Sequence, residues 1–308
     1  MAVPESLGVL AHRGGLVVRR PELTVGIVQI ISRLSGLDVD LLARRPPNQQ
    51  SGRSPTTPAA RRLLPVFDEG RDLRVGWLDR QGRSHWNFGT VSSRRRTHAD
   101  GAVTANWRTK VTFPAMFDKL SLVLAWPEIG FPETVLTVPL PDRTTVERHT
   151  TPLWTAPTAA VPVTESLTYR SAPIQPEVAI EAGTVVASQQ VLYRGSETAI
   201  VLTRLTATDK ALSAELTSIA TTPTLAGAVP STRESDAGRG PSMALIHERE
   251  AFWIRPRRNS STSGKRGFRN VQEFTMWRPD NHVLNLALEW PLAELDEVRA
   301  RIPLEQPK

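Results

Sequence analysis

Two short runs gather the side chains best able to do chemistry, and that chemistry is the binding of anions. Ser92 to Gly101 reads SSRRRTHADG and supplies Arg94, Arg95 and Arg96. Arg255 to Asn270 reads RPRRNSSTSGKRGFRN and supplies Arg255, Arg257, Arg258, Lys265, Arg266 and Arg269, with no acidic residue. A guanidinium grips phosphate or carboxylate through a two-pronged fork, and the small residues between let a loop wrap its ligand. Phe268, inside the second run, is placed to stack on a nucleobase. Read as loops, the two runs are candidate surfaces for nucleic acid or another polyanion. If two similar domains share an orientation, these loops meet at one end. Charged loop tips that only maintain solubility have the same composition, so the runs specify no activity by themselves.

Other chemistry is harder to find. The chain has 308 residues and no Cys, which removes disulfides, thiolate metal sites and a Cys nucleophile. His85, His98, His149, His247 and His282 show no HExxH or His-x-His spacing, and no GxGxxG, GKS/T or GxSxG motif occurs. No metal or cofactor is therefore expected, and the sequence leans away from an enzyme. No apolar run approaches the ~20 residues of a membrane helix, and the start MAVPESLGVLAHRGG lacks the pattern of a secretory signal. The expected location is cytoplasmic. The net charge of +7 lies wholly in the first half: through Thr155 there are 21 Lys+Arg against 14 Asp+Glu, and 17 against 17 thereafter.

The elements that must position these residues are announced by an internal repeat. Leu120 to Leu140 (LSLVLAWPEIGFPETVLTVPL) matches Leu284 to Leu304 (LNLALEWPLAELDEVRARIPL) without a gap at an offset of 164, sharing Trp126/Trp290, Pro127/Pro291 and Glu133/Glu297. Upstream, Val25, Ile27, Leu37, Val39 and Leu41 match Ile200, Leu202, Leu212, Ala214 and Leu216 at an offset of 175. Leu37, Val39 and Leu41 alternate with Asp38 and Asp40, the period-two signature of a strand with one buried face. Hairpins are expected where LRVGWL and SHWNF flank DRQG, and where MALIH and AFWI flank a charged turn. Arg44 to Arg62 and Ser218 to Ser242 read as long polar loops. No capped amphipathic helix stands out. The expected fold is all-β, a tandem duplication of an antiparallel sandwich, jelly-roll or Ig-like. Domains of 1–155 and 177–308 are joined by a Pro/Thr-rich linker, 156–176. Trp126 and Trp290 should be core anchors, each followed by a strand-ending Pro, Pro127 and Pro291.

Two resemblances accompany this reading. WPEIGFPETVLTVPLP (Trp126 to Pro141), with Pro152-Leu153-Trp154, resembles a group of uncharacterised actinobacterial β-sandwich proteins in which a Trp-Pro strand leads into a Gly-x-Pro-Glu-Thr turn. That resemblance implies a fold and no activity. AHRGG (Ala11 to Gly15), RPELT (Arg20 to Thr24) and GLDVDL (Gly36 to Leu41) resemble the opening of glycerophosphodiester phosphodiesterases. It implies a βα-barrel in which His12 is an acid/base and Glu22, Asp38 and Asp40 hold a metal. Gly36 departs from it, standing where that family has Glu. If Leu37, Val39 and Leu41 are buried, Asp38 and Asp40 both face solvent and bind no metal.

These residues support a non-enzymatic interaction or structural protein whose partner is another protein. Binding of nucleic acid or another polyanion through 92–101 and 255–270 is the alternative, and phosphodiester hydrolysis through His12 the minor one.

Overall fold

A computed structural model describes residues 6–45, 63, 73–86, 90–97, 103–126, 129–171, 175–176, 183–208, 210–221, 240–264 and 267–305. The protein is all-β, with one short α-helix among the described residues. It divides into two compact units: an amino unit of Gly8–Thr150 with Ile180–Gly183, and a carboxyl unit of Met1–Leu7, Thr151–Ala179 and Thr184–Lys308.

Strand β1 (Ser6–Leu7) belongs to the carboxyl unit. The amino unit is built from β2 (Val9–His12), β3 (Gly15–Arg19), β4 (Thr24–Arg33), β5 (Gly36–Arg45), β6 (Arg74–Leu78), β7 (Ser84–Trp86), β8 (Thr90–Thr97), β9 (Val103–Phe113), β10 (Lys119–Trp126) and β11 (Phe131–Pro139). One sheet runs β2-β4-β5-β9-β8, with β3 also on β4; the other runs β11-β10-β6-β7. Their facing sides share one core, in which Leu37, Val39 and Leu41 meet Leu120, Leu122 and Trp126.

The carboxyl unit contains β12 (Thr151–Pro152), β13 (Ala160–Val161), β14 (Thr168–Ser171), β15 (Thr184–Ala187), β16 (Gln190–Arg194), β17 (Thr198–Thr208), β18 (Ala211–Ala220), β19 (Ser242–His247), β20 (Glu250–Ile254), β21 (Arg258–Gly264), β22 (Gly267–Trp277), β23 (Val283–Trp290) and β24 (Leu295–Pro303). One sheet runs β15-β17-β18-β22-β21, with β16 also on β17; the other runs β13-β24-β23-β19-β20-β14. Leu212, Ala214 and Leu216 of the first sheet share a core with Leu284, Leu286 and Trp290 of the second.

The first sheets correspond strand by strand, and β11-β10-β6-β7 corresponds to β24-β23-β19-β20 with β13 and β14 added at its edges; the irregularities correspond too. The β4–β5 ladder slips between Ile27 and Gln29, and the β17–β18 ladder slips between Leu202 and Arg204, 175 positions on. The β10–β11 ladder slips between Leu124 and Trp126; β23–β24 slips between Leu288 and Trp290, 164 positions on. A bulge is a local device, so its recurrence at matched positions shows that each unit holds the same register. Trp126 and Trp290 are each 1% exposed. Trp107 meets Trp126 edge-on with centroids 4.7 Å apart, whereas Phe268 lies 6.1 Å from Trp290.

Several expectations need correction. Residues 156–176, read as a linker, contribute β13 and β14 to the carboxyl unit. Ala160 pairs with Ala300, and Thr168 to Ser171 run parallel to Glu250 to Trp253. Proline density argued for an extended segment, and an extended segment is also a ready edge strand. Ser218, read as the start of a polar loop, lies in β18, which continues to Ala220. Only Gly130 of the Gly-x-Pro-Glu-Thr element makes the turn, at φ 78°; Phe131 already starts β11. A helix, α1 (Arg143–His149), also escaped the sequence reading. The Asp142 carboxylate accepts from the Thr145 amide at 2.7 Å, and Val146 is buried. That N-cap holds the Asp142 carboxyl below the usual carboxylate range.

Candidate functional site

Most of the described residues of the basic runs lie in strands rather than loops, although Arg255 and Arg257 precede β21. Arg94, Arg95 and Arg96 lie within β8, and the second run spans β21 and the start of β22. Among the described residues β8 pairs only with β9, and β21 only with β22, so each is the edge of its sheet. Ser92 stands opposite Arg108 and Ser93 opposite Trp107; Ser260 stands opposite Val271 and Ser261 opposite Asn270. Trp107 and Asn270 occupy matched places, because Ala43 and Ser218, their partners on β5 and β18, are 175 apart. The Ser-Ser pair therefore recurs at the same register of both edges.

The Arg side chains of the carboxyl edge are partly engaged. Arg257 donates to the Pro176 carbonyl at 2.5 Å, and its amide donates to the Glu273 carbonyl at 2.7 Å. Arg258 lies 3.7 Å from the Glu273 carboxylate, which also receives Arg204 at 3.3 Å. Arg255 is exposed, and Arg269 is half-buried. Lys265, Arg266 and Pro127 lie outside the described residues. Pro291 opens a 3-10 turn, Pro291–Ala293, after β23. Phe268, expected to stack on a base, is a core residue, 4% exposed and beside Trp290. Its alternation with Phe274 and Met276 on one face of β22 was the signal for that.

The residues of the phosphodiesterase resemblance do not assemble a metal site. The all-β fold is not the βα-barrel that resemblance implies. His12 pairs on β4 while Asp38 and Asp40 lie on the next strand, β5. His12 Nδ1 accepts from the Gly14 amide at 3.1 Å, and burial lowers its pKa. Glu22 lies 4.0 Å from Arg20. Asp38 pairs with Arg33 and accepts from Thr112 at 2.8 Å. Asp40 does not face solvent: it is buried and held by Arg108 through contacts of 2.8 and 2.5 Å. Among the described residues no three His, Cys, Asp or Glu side chains gather as metal ligands.

Two networks were not legible. At the β6–β7 turn, Asp79 accepts from the Gln81 and Arg83 amides and from the Arg83 side chain, and meets His85 Nε2, each at 2.9 Å. The His85 bond, then the amides, hold the Asp79 carboxyl far below its ordinary range. His85 stacks on Trp77 with centroids 5.2 Å apart.

The second network is on the outer face of the β23–β24 sheet. Tyr169 of β14 stacks on Trp253 at 4.9 Å and donates to Glu297 at 2.7 Å, while Arg299 donates to the other oxygen of Glu297 at 2.7 Å. Burial, then the Glu297 bond, raise the Tyr169 pKa. Burial and the charge of Glu297 also raise that of Glu289. Glu133, matched to Glu297 by the repeat, accepts from the Leu63 amide. In each unit the matched carboxylate accepts from a residue outside its own hairpin, Leu63 in the amino unit and Tyr169 in the carboxyl unit.

No family model matches the chain, and no curated protein does. Among solved structures it is similar to the conserved domain protein from Bacillus anthracis at 9% identity, covering 98% of this chain and 92% of that one, with a TM-score of 0.26. A likeness that slight carries no functional argument. No helix among the described residues is long and apolar enough to cross a membrane.

Proposed function

We propose that this is a non-enzymatic interaction or structural protein, a tandem duplication of one β-sandwich that meets its partner through the open edges β8 and β21. The supporting observation is recurrence: matched edge strands carry a Ser-Ser pair in one register, with Arg residues on the same strand or beside it. An open edge presents unpaired amides and carbonyls, the groups to which an extended segment of a partner adds as a further strand. Arg beside that ladder favours an acidic segment. The Trp-Pro strand makes similarity to the actinobacterial group part of the same proposal.

The test is titration of the full chain with an acidic strand-forming peptide of alternating Glu and Val, read by amide NMR. Amides of β8 or β21 shift on this reading. Neighbouring residues of an antiparallel strand point their amides to opposite sides, so Ser260→Pro and Ser261→Pro separate two roles. One variant loses the β22 ladder and stability, and the other loses peptide binding alone. A titration that leaves both edges unshifted overturns the proposal.

Polyanion binding is the second reading, supported by the Arg94–Arg96 run and exposed Arg255. On that reading a single-stranded oligonucleotide binds at low salt, and its affinity falls steeply as salt rises.

A further inference from the structure

Strand β22 turns alternate side chains into the carboxyl unit's core: Phe268, Phe274 and Met276 belong to the buried cluster. By the same alternation Asn270 and Gln272, between Phe268 and Phe274, also point inward. Ser218, between core residues Leu216 and Ala220 on β18, does likewise and stands opposite Asn270. Ser218 and Asn270 are 0% exposed and Gln272 is 1% exposed. Ser218 Oγ, Asn270 Oδ1 and both amide atoms of Gln272 have no hydrogen-bond partner. Asn270 spends its amide nitrogen on Asn259 Oδ1, 2.6 Å away.

Buried amides left in this state are costly, so native interiors rarely keep them without a partner, be it a ligand or an ordered water. The amino unit shows that the fold does not require them. Its matched positions carry Ala43, Trp107 and Thr109 in place of Ser218, Asn270 and Gln272, and there Trp107 fills the interior against Trp126. The polar layer is peculiar to the carboxyl unit.

It also has a way in. Asn259 and Ser261 of β21 stand opposite Gln272 and Asn270 and share their face. Asn259 is exposed, Ser261 half-buried, and the three inner residues fully buried, so polar groups run from the sheet edge to the interior. Gly240 closes the site against both amides and admits no side chain: a Cβ there would lie 2.2 Å from Asn270 Oδ1 and 2.7 Å from Gln272 Oε1.

We infer that Ser218, Asn270 and Gln272 form a binding site for a small neutral ligand bearing adjacent hydrogen-bond donors and acceptors, of the hydroxyl or carboxamide class. Neutrality follows from the lining, which offers hydroxyl and amide groups and no charge; Arg269 and Glu273 alternate onto the opposite face. Gln272 supplies one donor and one acceptor, Ser218 either, and Asn270 an acceptor. Phe268 and Phe274 above and below give the site apolar walls, the usual make-up of a small-molecule pocket. This inference is independent of the edge-strand proposal.

The experiment titrates the full chain with acetamide, glycerol and N-acetylglucosamine, following the Gln272 side-chain amide by NMR. At least one probe produces a saturable shift. Ser218→Ala, which installs the residue the amino unit carries, and Gln272→Leu each weaken it by about tenfold, the loss of one buried hydrogen-bond partner. If Gln272→Leu fails to fold, Ser218→Ala decides alone. Absence of a saturable shift with all three probes overturns the inference. So does binding indifferent to Ser218→Ala, or a crystal structure with the probes that holds only ordered water at Asn270 Oδ1 and Gln272.

Discussion

A single carboxylate shapes the β6–β7 turn. Asp79 gathers two amides, an Arg and a His around its oxygens, and its pKa falls because all of them favour the charged form. A carboxyl lowered on folding contributes stability above its unfolded pKa, near ~3.9, and loses it as pH drops toward the folded value. The stability gap between the native chain and Asp79→Ala should thus be constant at neutral pH and shrink below about pH 4. Denaturant titrations from neutral to acid pH check this, and a gap that widens with acid contradicts it. Glu294 sits at φ 54°, matched to Gly130 at φ 78°. A side chain costs about 1–2 kcal/mol in that left-handed region, partly offset by its lower entropy when unfolded. Glu294→Gly should raise stability by about 0.5–1 kcal/mol, measured by thermal melting.

Elements that bury a face were legible, and elements that lie on an edge were not. Leu37, Val39 and Leu41 declare β5 because apolar and polar side chains must alternate where one side is core. Strand β21, RNSSTSG, buries little and so shows no alternation; Arg and Ser there read as loop. Strands β13 and β14 are two and four residues long and pair with partners far along the chain, which no local pattern reveals. The offset of β9 to β22 is 163, whereas the Trp-Pro strands stand 164 apart. A one-residue slip reverses every face, so the inward position of Asn270 does not follow from the offset of the Trp-Pro strands. The β14 strap makes its own prediction. Exposed ion pairs such as Arg170–Glu250 contribute little, so the Tyr169–Trp253 stack and the Glu297 bond reinforce the parallel ladder to β20 that attaches it. In Tyr169→Ala, amides of Thr168 to Ser171 should lose hydrogen-exchange protection while those of β17 and β18 keep theirs.

At the scale of the molecule, the chain divides into two compact units, and the sequence match misses how the chain is shared between them. The break read at residue 155 suggests that the first domain owns everything before it. Instead Met1–Leu7 belongs to the carboxyl unit. Ser6 and Leu7 pair with Pro152 and Thr151. Leu7 packs with Trp154 on a satellite cluster of Leu153, Ala156, Val191, Ala199, Val201 and Ile219, which covers the outer side of β17 and β18. A unit whose first strand arrives from the far end of the sequence cannot complete that cluster until both pieces exist. Deleting residues 1–7 should therefore lower the stability of the carboxyl unit by about 1–2 kcal/mol, the scale of a half-buried Leu with its short ladder. The amino unit's Trp107–Trp126 core should keep its own stability, because none of the deleted residues belongs to it. Residue-resolved hydrogen exchange separates the outcomes: protection lost at Val191, Val201 and Ile219 alone fits a strand that serves only the carboxyl unit. Equal loss at Val39 and Val111 would show that the amino unit depends on the same seven residues.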